Sequence, residues 1–264
     1  MDFIIKTWTN TFKTMIAFCM VTLEEEQLKC RSDDIFLLSF LRARKYDRER
    51  ALKLLKNYYA TRKKYTDIFK DLRPSALESF LQMGMMCIKR LENGQVLGLG
   101  RVSHWDATKV RAIDVARCIL LLIDMELNDH PMQVNGLYVL IDVKTFSWRH
   151  FIQFTPTFIY LLLSSLYQSI PLNYKGVHFV NVNKYLQAVV AMAYPFLPYK
   201  LKQRFHIHGS NMEKLHKEIE PKYLNAEFGC ELSPFDASET NQKLRDIEEL
   251  FVENEKYWTE EKNT

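Results

Sequence analysis

The sequence predicts an α/β fold in which a helical N-terminal part is followed by a mainly parallel sheet. Two short apolar runs, 136–142 and 176–182, are each followed by a helix-length apolar pattern, and the first of them ends in a polar residue, Asp142. Strands that alternate with helices of this length form βαβ units, and such units build parallel sheets. The composition agrees: 8 glycines accompany 17 phenylalanines and 13 tyrosines, which favours helices with few tight turns and bulky buried walls.

Two amphipathic helices open the part of the chain that follows residue 31. Ser32 is the predicted N-cap of the first helix, which spans 35–43 and begins with two aspartates that the helix dipole favours. The second helix runs from Asp47 to about Tyr65. We expect its basic residues to form a solvated face: Arg48, Arg50, Lys53, Lys56, Arg62, Lys63 and Lys64. For residues 1–23 we predict no more than an amphipathic helix.

The middle of the chain combines a hairpin with apolar helices and short strands. The segments 85–91 and 95–102 flank Glu92-Asn93-Gly94, the strongest local hairpin signal. Three largely apolar helices and a further strand complete the pattern: 112–127, the stretch after Thr155-Pro156, 184–194 and the strand 204–208.

These three helices carry more apolar surface than they could bury as single layers against a sheet of three to five strands. The surplus fits a sheet that walls one side of a cavity, with helices closing the other side. The helix at 184–194 has almost no polar face and is followed by Pro195, Pro198 and basic residues. Its pattern fits either an ordinary core helix or a lid between a cavity and a membrane, and both interpretations stay open.

Charge and cysteine usage exclude some classes of protein. A net charge of +4 is small for a nucleic-acid surface, so we expect no nucleic-acid partner. The five cysteines are scattered without a CxxC pair, which favours free thiols in a reducing compartment and hence a cytoplasmic protein. An apolar run at 15–21 resembles part of a signal peptide, but no small-residue cleavage site follows it. No run approaches the roughly 20 apolar residues of a spanning helix, so we expect a soluble protein.

The residue types that carry catalysis are present without the patterns that catalysis needs. His206 and His208 would share one strand face, but a third ligand at zinc spacing is missing, so we expect packed histidines and no metal. Ser164 and Ser165 lack a Gly-x-Ser-x-Gly elbow, and Asp142 ends a strand without a Gly-rich phosphate loop. We predict no enzyme, no catalytic residue and no cofactor.

Four cations lie next to predicted neighbouring strands: Lys175, Lys200, Lys202 and Arg204. Adjacent parallel strands would bring them to one edge of the sheet. There they could hold a phosphorylated headgroup, since arginine binds phosphate bidentately and lysine acts as a point charge. From spacing alone, unrelated solvated cations fit equally well.

Several motifs follow one another in order over about residues 30–235: LRARKYD (41–47), LLKNYY (54–59), HWD (104–106), QFTP (153–156), GVH (176–178), PFL (195–197) and RFHIHG (204–209). On these motifs the chain resembles the CRAL-TRIO lipid-binding family, above all its tocopherol-transfer and retinal-binding members. The resemblance implies a helical N-terminal domain and a CRAL-TRIO α/β sandwich. The sheet of that sandwich would floor a lipid cavity that a mobile gate helix at 184–194 closes.

The resemblance also implies three sets of site residues. The cavity would be lined by Ile119, Leu120, Ile123, Leu137, Ile141, Phe154, Phe158, Leu162, Ser165, Leu172, Phe179, Val189 and Phe196. The membrane-contacting lip and gate would be formed by Trp148, Ile152, Tyr185, Val189 and Met192. Phosphoinositide headgroups would bind Lys175, Lys200, Lys202 and Arg204.

Two departures from the family pattern bear on the ligands. Asn173 stands where the family has a further basic residue, which bears on headgroup affinity and choice. Ile119 and Ile123 stand where a tocopherol-binding member has serines that face the ligand, so the sequence does not indicate tocopherol itself.

The predicted domains are an N-terminal segment 1–23, a helical domain 24–80, the lipid-binding domain 81–235 and an acidic helix or tail 236–264. The implied function is a non-catalytic, monomeric, cytoplasmic carrier of one hydrophobic small molecule such as a tocopherol, a retinoid or another lipid. It would exchange its cargo during transient peripheral contact with membranes that contain phosphoinositides. The alternative is a regulatory module that senses phosphoinositide without transferring cargo.

Overall fold

The computed structural model describes Phe18, Thr22 and residues 28–210, 212–228, 230 and 232–259. The helix predicted within 1–23 therefore lies almost entirely outside the described residues, and so do the last five residues of the segment 236–264. Phe18 and Thr22 are both buried, and Phe18 belongs to the core of the N-terminal helices.

The N-terminal part is helical, as predicted. It consists of α1 (Asp34–Ala43), α2 (Arg48–Lys64), α3 (Thr66–Phe69), a 3₁₀ turn (Ser75–Leu77) and α4 (Glu78–Leu81). The predicted cap at Ser32 is wrong. Asp33 caps α1 by accepting a hydrogen bond from the Phe36 N–H at 3.2 Å, because only a residue directly before the first turn can reach the third amide of the helix.

The prediction of a solvated basic face on α2 is wrong for one residue, Arg62. Arg62 is 1 % exposed and donates to both carboxylate oxygens of Asp124, at 2.7 and 2.8 Å. Its guanidinium also lies over the Tyr58 ring, 3.3 Å from the centroid. Arg62 therefore joins the N-terminal helices to the next layer instead of facing solvent.

Five strands form one sheet in the order β1-β2-β3-β4-β5: β1 (Met86–Arg90), β2 (Val96–Arg101), β3 (Leu137–Asp142), β4 (Tyr174–Val180) and β5 (Phe205–Gly209). β1 and β2 are the predicted antiparallel hairpin, and the other pairs are parallel, which confirms the predicted mainly parallel sheet. β4 begins and ends two residues earlier than predicted. It ends there because Asn181 adopts a left-handed conformation, with φ at 58°.

The helices between the parallel strands are α5 (Ala112–Glu126), α6 (His130–Asn135), α7 (Trp148–Phe151), α8 (Pro156–Leu163), α9 (Lys184–Ala193) and α10 (Tyr199–Lys202). A π-helical segment, Ser164–Gln168, continues α8. Because β2 to β5 follow one another in chain order, right-handed crossovers place these helices on one face of the sheet. The segment after β5, beginning with α11 (Met212–His216), covers the opposite face with Leu215, Leu224 and Phe228.

The C-terminal segment packs back onto the N-terminal helices. It contains α12 (Ser238–Asp246) and α13 (Glu248–Thr259). The Asn254 side-chain amide donates to the Tyr58 hydroxyl at 3.0 Å, and the Glu255 carboxylate accepts from the Asp71 N–H at 3.1 Å. Trp258 is 7 % exposed in the same core, so the two ends of the described chain stabilise each other.

Candidate functional site

The two faces of the sheet differ in how tightly they are covered. On the face under α11 the strand residues are almost completely buried: Leu97, Leu99, Leu140 and Val180 are at most 1 % exposed. On the helix-covered face Val96, Leu137 and Val177 are also buried, but four other apolar residues stay only partly buried: Val139, Ile141, Phe179 and Phe205. Residues in the middle of a sheet and beneath helices are normally closed off from water. Here water reaches them, so the helices do not close directly onto the sheet.

Small residues widen the same space. Gly98 and Gly100 of β2 pair with Val139 and Ile141 of β3 and so lie on the helix-covered face. A side chain at Gly100 would meet no heavy atom closer than 3.7 Å, which is ordinary van der Waals contact. This face of the sheet therefore has room for further apolar atoms.

The helices opposite the sheet present apolar side chains that are also half-buried. Phe158 and Leu162 of α8, Val190 and Met192 of α9, and Ile119 of α5 all belong to this group. The thirteen residues predicted to line a cavity thus divide into three groups. Half-buried on this side are Ile119, Ile141, Phe154, Phe158, Leu162, Leu172 and Phe179. Closely packed are Leu120, Ile123, Leu137, Ser165 and Val189, and exposed at the surface is Phe196.

Two of these residues carry further information. Phe196 is 42 % exposed and packs against the Tyr160 ring at 5.8 Å between centroids, because the 3₁₀ turn Tyr194–Phe196 carries it out of the helix layer. Ser165 is fully buried, and its Oγ has no hydrogen-bond partner among the described residues. It is the only predicted lining residue with such an unpaired buried polar atom.

The helix α9 begins at a well-formed cap. The Asn183 side chain accepts hydrogen bonds from the amides of Tyr185 and Leu186 at 3.1 and 3.3 Å, and its own amide donates to the Phe146 carbonyl oxygen. Leu186 and Val189 are buried against the core beneath the helix. Only two of its ten residues are buried, and α9 therefore lies on the molecule as a lightly packed layer.

An exposed apolar patch, the α7 patch, lies beside the start of α9. Trp148 and Ile152 are 55 % and 53 % exposed, and the Trp148 ring lies 6.3 Å from the half-buried Tyr185 ring. The structure thus brings three of the five predicted lip residues together. The other two do not reach the surface to the same extent, since Val189 is 7 % exposed and Met192 is half-buried.

A second exposed patch, the tyrosine patch, lies beyond the end of α9 and was not expected from the sequence. It consists of Tyr160, Tyr194, Phe196 and Tyr199, all at least 42 % exposed. The aromatic-proline alternation at 194–199 is the sequence signal for this patch, but of its four residues only Phe196 had a predicted place, in the cavity lining that the resemblance implied. Together the two patches account for six of the ten large apolar side chains that are exposed in the described part of the chain.

The predicted basic cluster is assembled only in part. The β4–β5 pairing places Arg204 against β4, with the Val177 N–H donating to the Arg204 carbonyl oxygen at 2.7 Å. The Arg204 guanidinium donates to the Tyr174 carbonyl oxygen, and Lys175 is exposed on the same strand. Lys200 is exposed on α10, whereas Lys202 turns to the tyrosine patch, 4.5 Å from the Tyr194 centroid. Within the described part of the chain, no carboxylate lies at salt-bridge distance from any of these four cations.

The described residues contain neither a metal site nor a membrane-spanning helix. No group of three or more His, Cys, Asp or Glu side chains there could hold a metal ion. Within the same residues no helix is both long and apolar enough to cross a bilayer. Cys30, Cys87 and Cys118 are free thiols, as predicted, while Cys19 lies outside the described residues.

Comparison with known proteins places the chain in a family. The model of the CRAL/TRIO domain matches residues 81–229. Clavesin-1 of Xenopus laevis is 35 % identical over 212 residues, which are 78 % of this chain and 63 % of that protein. Clavesin-2 of Homo sapiens is 33 % identical over 224 residues, which are 83 % of this chain and 68 % of that protein.

A solved structure titled "Crystal structure of Sfh5" aligns with a TM-score of 0.46 and 12 % identity over 83 % of this chain and 81 % of that chain. The chain spans 63 % of the length of the frog clavesin-1. The match of the family model and the identity to clavesins over most of this sequence confirm the family that the motifs indicated. This chain belongs to the CRAL-TRIO lipid-binding family.

Proposed function

We propose that this protein carries one hydrophobic small molecule between its sheet and helices α5, α8 and α9, and exchanges it at anionic membranes. The observation that supports this most is the difference between the sheet faces: the aliphatic residues in the middle of one face are at most 1 % exposed, whereas Val139, Ile141 and Phe179 on the other face stay within reach of water. A purely structural core would close both faces, because exposed apolar area costs about 25 cal/mol per Å².

The free energy gained by burying a cargo molecule is large enough for a carrier. A cargo of ten to fifteen methylenes gains about 8–12 kcal/mol from burial at ~0.8 kcal/mol per CH₂. That gain is enough to extract the cargo from a bilayer when the cavity is already formed. The lining is almost wholly apolar, so shape would select the cargo. The unpaired Ser165 Oγ offers a hydrogen bond to a cargo hydroxyl or carbonyl that came within reach.

Membrane contact would use the two apolar patches on either side of α9. Tryptophan and tyrosine side chains favour the interface between headgroups and acyl chains, and both types are exposed here. Lys175, Lys200 and Arg204 would hold phosphorylated headgroups, each cation near an anionic surface contributing about 1 kcal/mol. Docking at this strength is reversible, as a cytoplasmic shuttle requires. The lightly packed α9 would then move as the gate.

We expect the α7 patch to determine membrane affinity. Replacing Ile152 with serine removes about 2 kcal/mol of apolar burial in the interface, so vesicle binding should weaken roughly thirtyfold. Sedimentation with phosphatidylserine-containing vesicles measures this. Leu232→Ser is the matched control, since Leu232 is also an exposed aliphatic residue but lies outside both patches. Equal binding of the two variants would argue against docking through this surface.

Filling the cavity tests the carrier function. Val139 is half-buried at the centre of the helix-covered face, so Val139→Trp should occupy the space and lower the uptake of a fluorescent lipid at least tenfold. Val134→Trp introduces the same bulk at a position that is 59 % exposed on α6, and uptake should be unchanged. Unfolding curves of both variants separate a filled cavity from a lost fold. Normal uptake by a folded Val139→Trp protein would overturn the proposed cavity.

A further inference from the structure

Three imidazole rings stack on the sheet face that points away from the proposed cavity. His178 lies on β4, and His206 and His208 lie on β5. The His178 ring is 4.7 Å from His206 and 5.2 Å from His208 between centroids, and the planes differ by only 10° and 12°. His178 Nδ1 and His208 Nε2 are 2.9 Å apart and share one hydrogen bond. The sequence indicated the pair on β5 but not the third ring.

The arrangement of the stack disfavours protonation of both His178 and His208. His178 is fully buried, and its Nε2 has no partner among the described residues. A Cβ at position 176 would lie 2.2 Å from that nitrogen, so the ring fits only because Gly176 has no side chain. The hydrogen bond between His178 and His208 needs one ring nitrogen without a proton. Protonating both rings would break this bond and bury positive charge in stacked rings.

The side chains around the stack would not offset a positive charge on its rings. Tyr138 of β3 faces His178 with its ring at 6.0 Å. Lys214 of α11 lowers the pKa of His208 and Glu218 raises it, so the two neighbours oppose each other. Burial, assisted by the charges of the other two rings, lowers the pKa of His178 to about 4, and burial also lowers the pKa of His208. His178 is therefore neutral near pH 7.

The stack joins β4 to the strand that carries the basic segment. β5 lies at one end of the strand order and is hydrogen-bonded to β4. It directly follows Lys200, Lys202 and Arg204, whereas Lys175 lies on β4 itself. The β4–β5 contact therefore determines how these cations lie relative to one another.

We propose that the stack of His178, His206 and His208 is a proton-sensitive latch that holds β5 on β4 at neutral pH and loosens it in acid. Its link to the headgroup site rests on the proposed function, because the cations that it aligns are those assigned to membrane docking. The latch itself is independent of that function.

The sign of the effect follows from proton linkage. A histidine released from the stack regains a pKa near 6.5, whereas the stacked His178 has one near 4, so the open state binds more protons between these values. The closed state is fully favoured above about pH 6.5 and loses its advantage as the pH falls toward 4. For His178 alone the opening equilibrium should rise on the order of twentyfold between pH 7 and pH 5.

Another buried group titrates over the same range with the opposite sign. Burial raises the pKa of the Glu126 carboxyl to about 7, with Arg90 lowering it and Asp129 raising it. Glu126 therefore stabilises the fold below about pH 4.5, and that contribution is lost as the pH rises through 7. The test must compare variants with the parent at each pH.

Hydrogen exchange of the β5 amides at pH 7, 6 and 5, corrected for the intrinsic pH dependence of exchange, tests the latch. In the parent, β5 should lose protection relative to β2 and β3 as the pH falls. His178→Phe keeps a stacked ring without a proton site, and His208→Gln keeps a hydrogen-bond partner without titrating in this range. Both variants should flatten the response, and His104→Gln, remote in sequence and outside the stack, should not.

A parent-like response in both stack variants, or a parent in which β5 responds no more than β2, would overturn the proposal. Binding to phosphoinositide vesicles at the same pH values distinguishes the two hypotheses. If β5 opens in acid while vesicle binding stays constant, the latch stands and the headgroup role of the adjoining cations fails.

Discussion

Replacing Lys175 and Lys200 with glutamine is expected to slow vesicle-to-vesicle transfer of a fluorescent lipid roughly thirtyfold at low salt, while lipid binding in solution stays unchanged. Both side chains are exposed, and neither takes part in a described ion pair, so the substitutions remove charge without breaking a contact of that kind. Two cations at about 1 kcal/mol each correspond to that factor in docking. The difference from the parent should shrink as salt screens the surface.

The matched control is the double variant Lys217→Gln and Lys243→Gln, which removes the same charge elsewhere. Lys217 is exposed after α11, on the far side of the sheet, and Lys243 forms a surface pair with Glu239. If the control slows transfer as much as the test variant, net charge and not the proposed headgroup site governs docking. Unchanged transfer in the test variant would remove these two lysines from the mechanism.

Asp124→Asn should destabilise the protein by about 3–5 kcal/mol, because it leaves the Arg62 charge buried without a counter-charge. Both side chains are almost inaccessible, at 1 % and 6 % exposure, and they form two hydrogen bonds below 2.9 Å. The pair joins α2 to α5, so its loss should loosen the contact between the N-terminal helices and the lipid-binding part. Urea denaturation measures the change in the free energy of unfolding.

The double variant Arg62→Met and Asp124→Leu provides the control for that prediction. Two apolar side chains of similar volume remove both charges, and stability should recover to within about 1–2 kcal/mol of the parent. A loss of less than 1 kcal/mol in Asp124→Asn would mean that water reaches Arg62 and that the pair does not join the layers as the structure indicates.

Local patterns predicted the elements of the fold, and the same local reasoning explains its errors. Asp47 was expected at the start of α2 and caps it by accepting the Arg50 N–H at 3.1 Å. Thr155 likewise caps α8, with Pro156 in the first turn. Arg62 was misplaced because its helical spacing matches the basic face of α2, and its partner Asp124 is 62 residues away. Sequence spacing carries no information about such a contact.

The candidate site was predictable to the extent that it depends on patterning. The apolar character of α5, α8 and α9 and the cations beside β4 and β5 are visible in the chain. The tyrosine patch and the position of Phe196 were not, because a 3₁₀ turn and two prolines redirect side chains that a continuous helix would bury. The third histidine of the stack became evident only from the strand register that sets His178 opposite His206.

Native mass spectrometry of the purified full chain tests the central claim most directly. A carrier should retain one lipid-sized molecule that is released on denaturation, and exposure to lipid vesicles should refill the emptied protein one to one. A module that senses phosphoinositide without carrying cargo should be empty after purification and should stay empty after incubation with vesicles. An empty protein that binds vesicles normally would contradict the carrier function, because the space above the helix-covered face of the sheet would then hold no cargo.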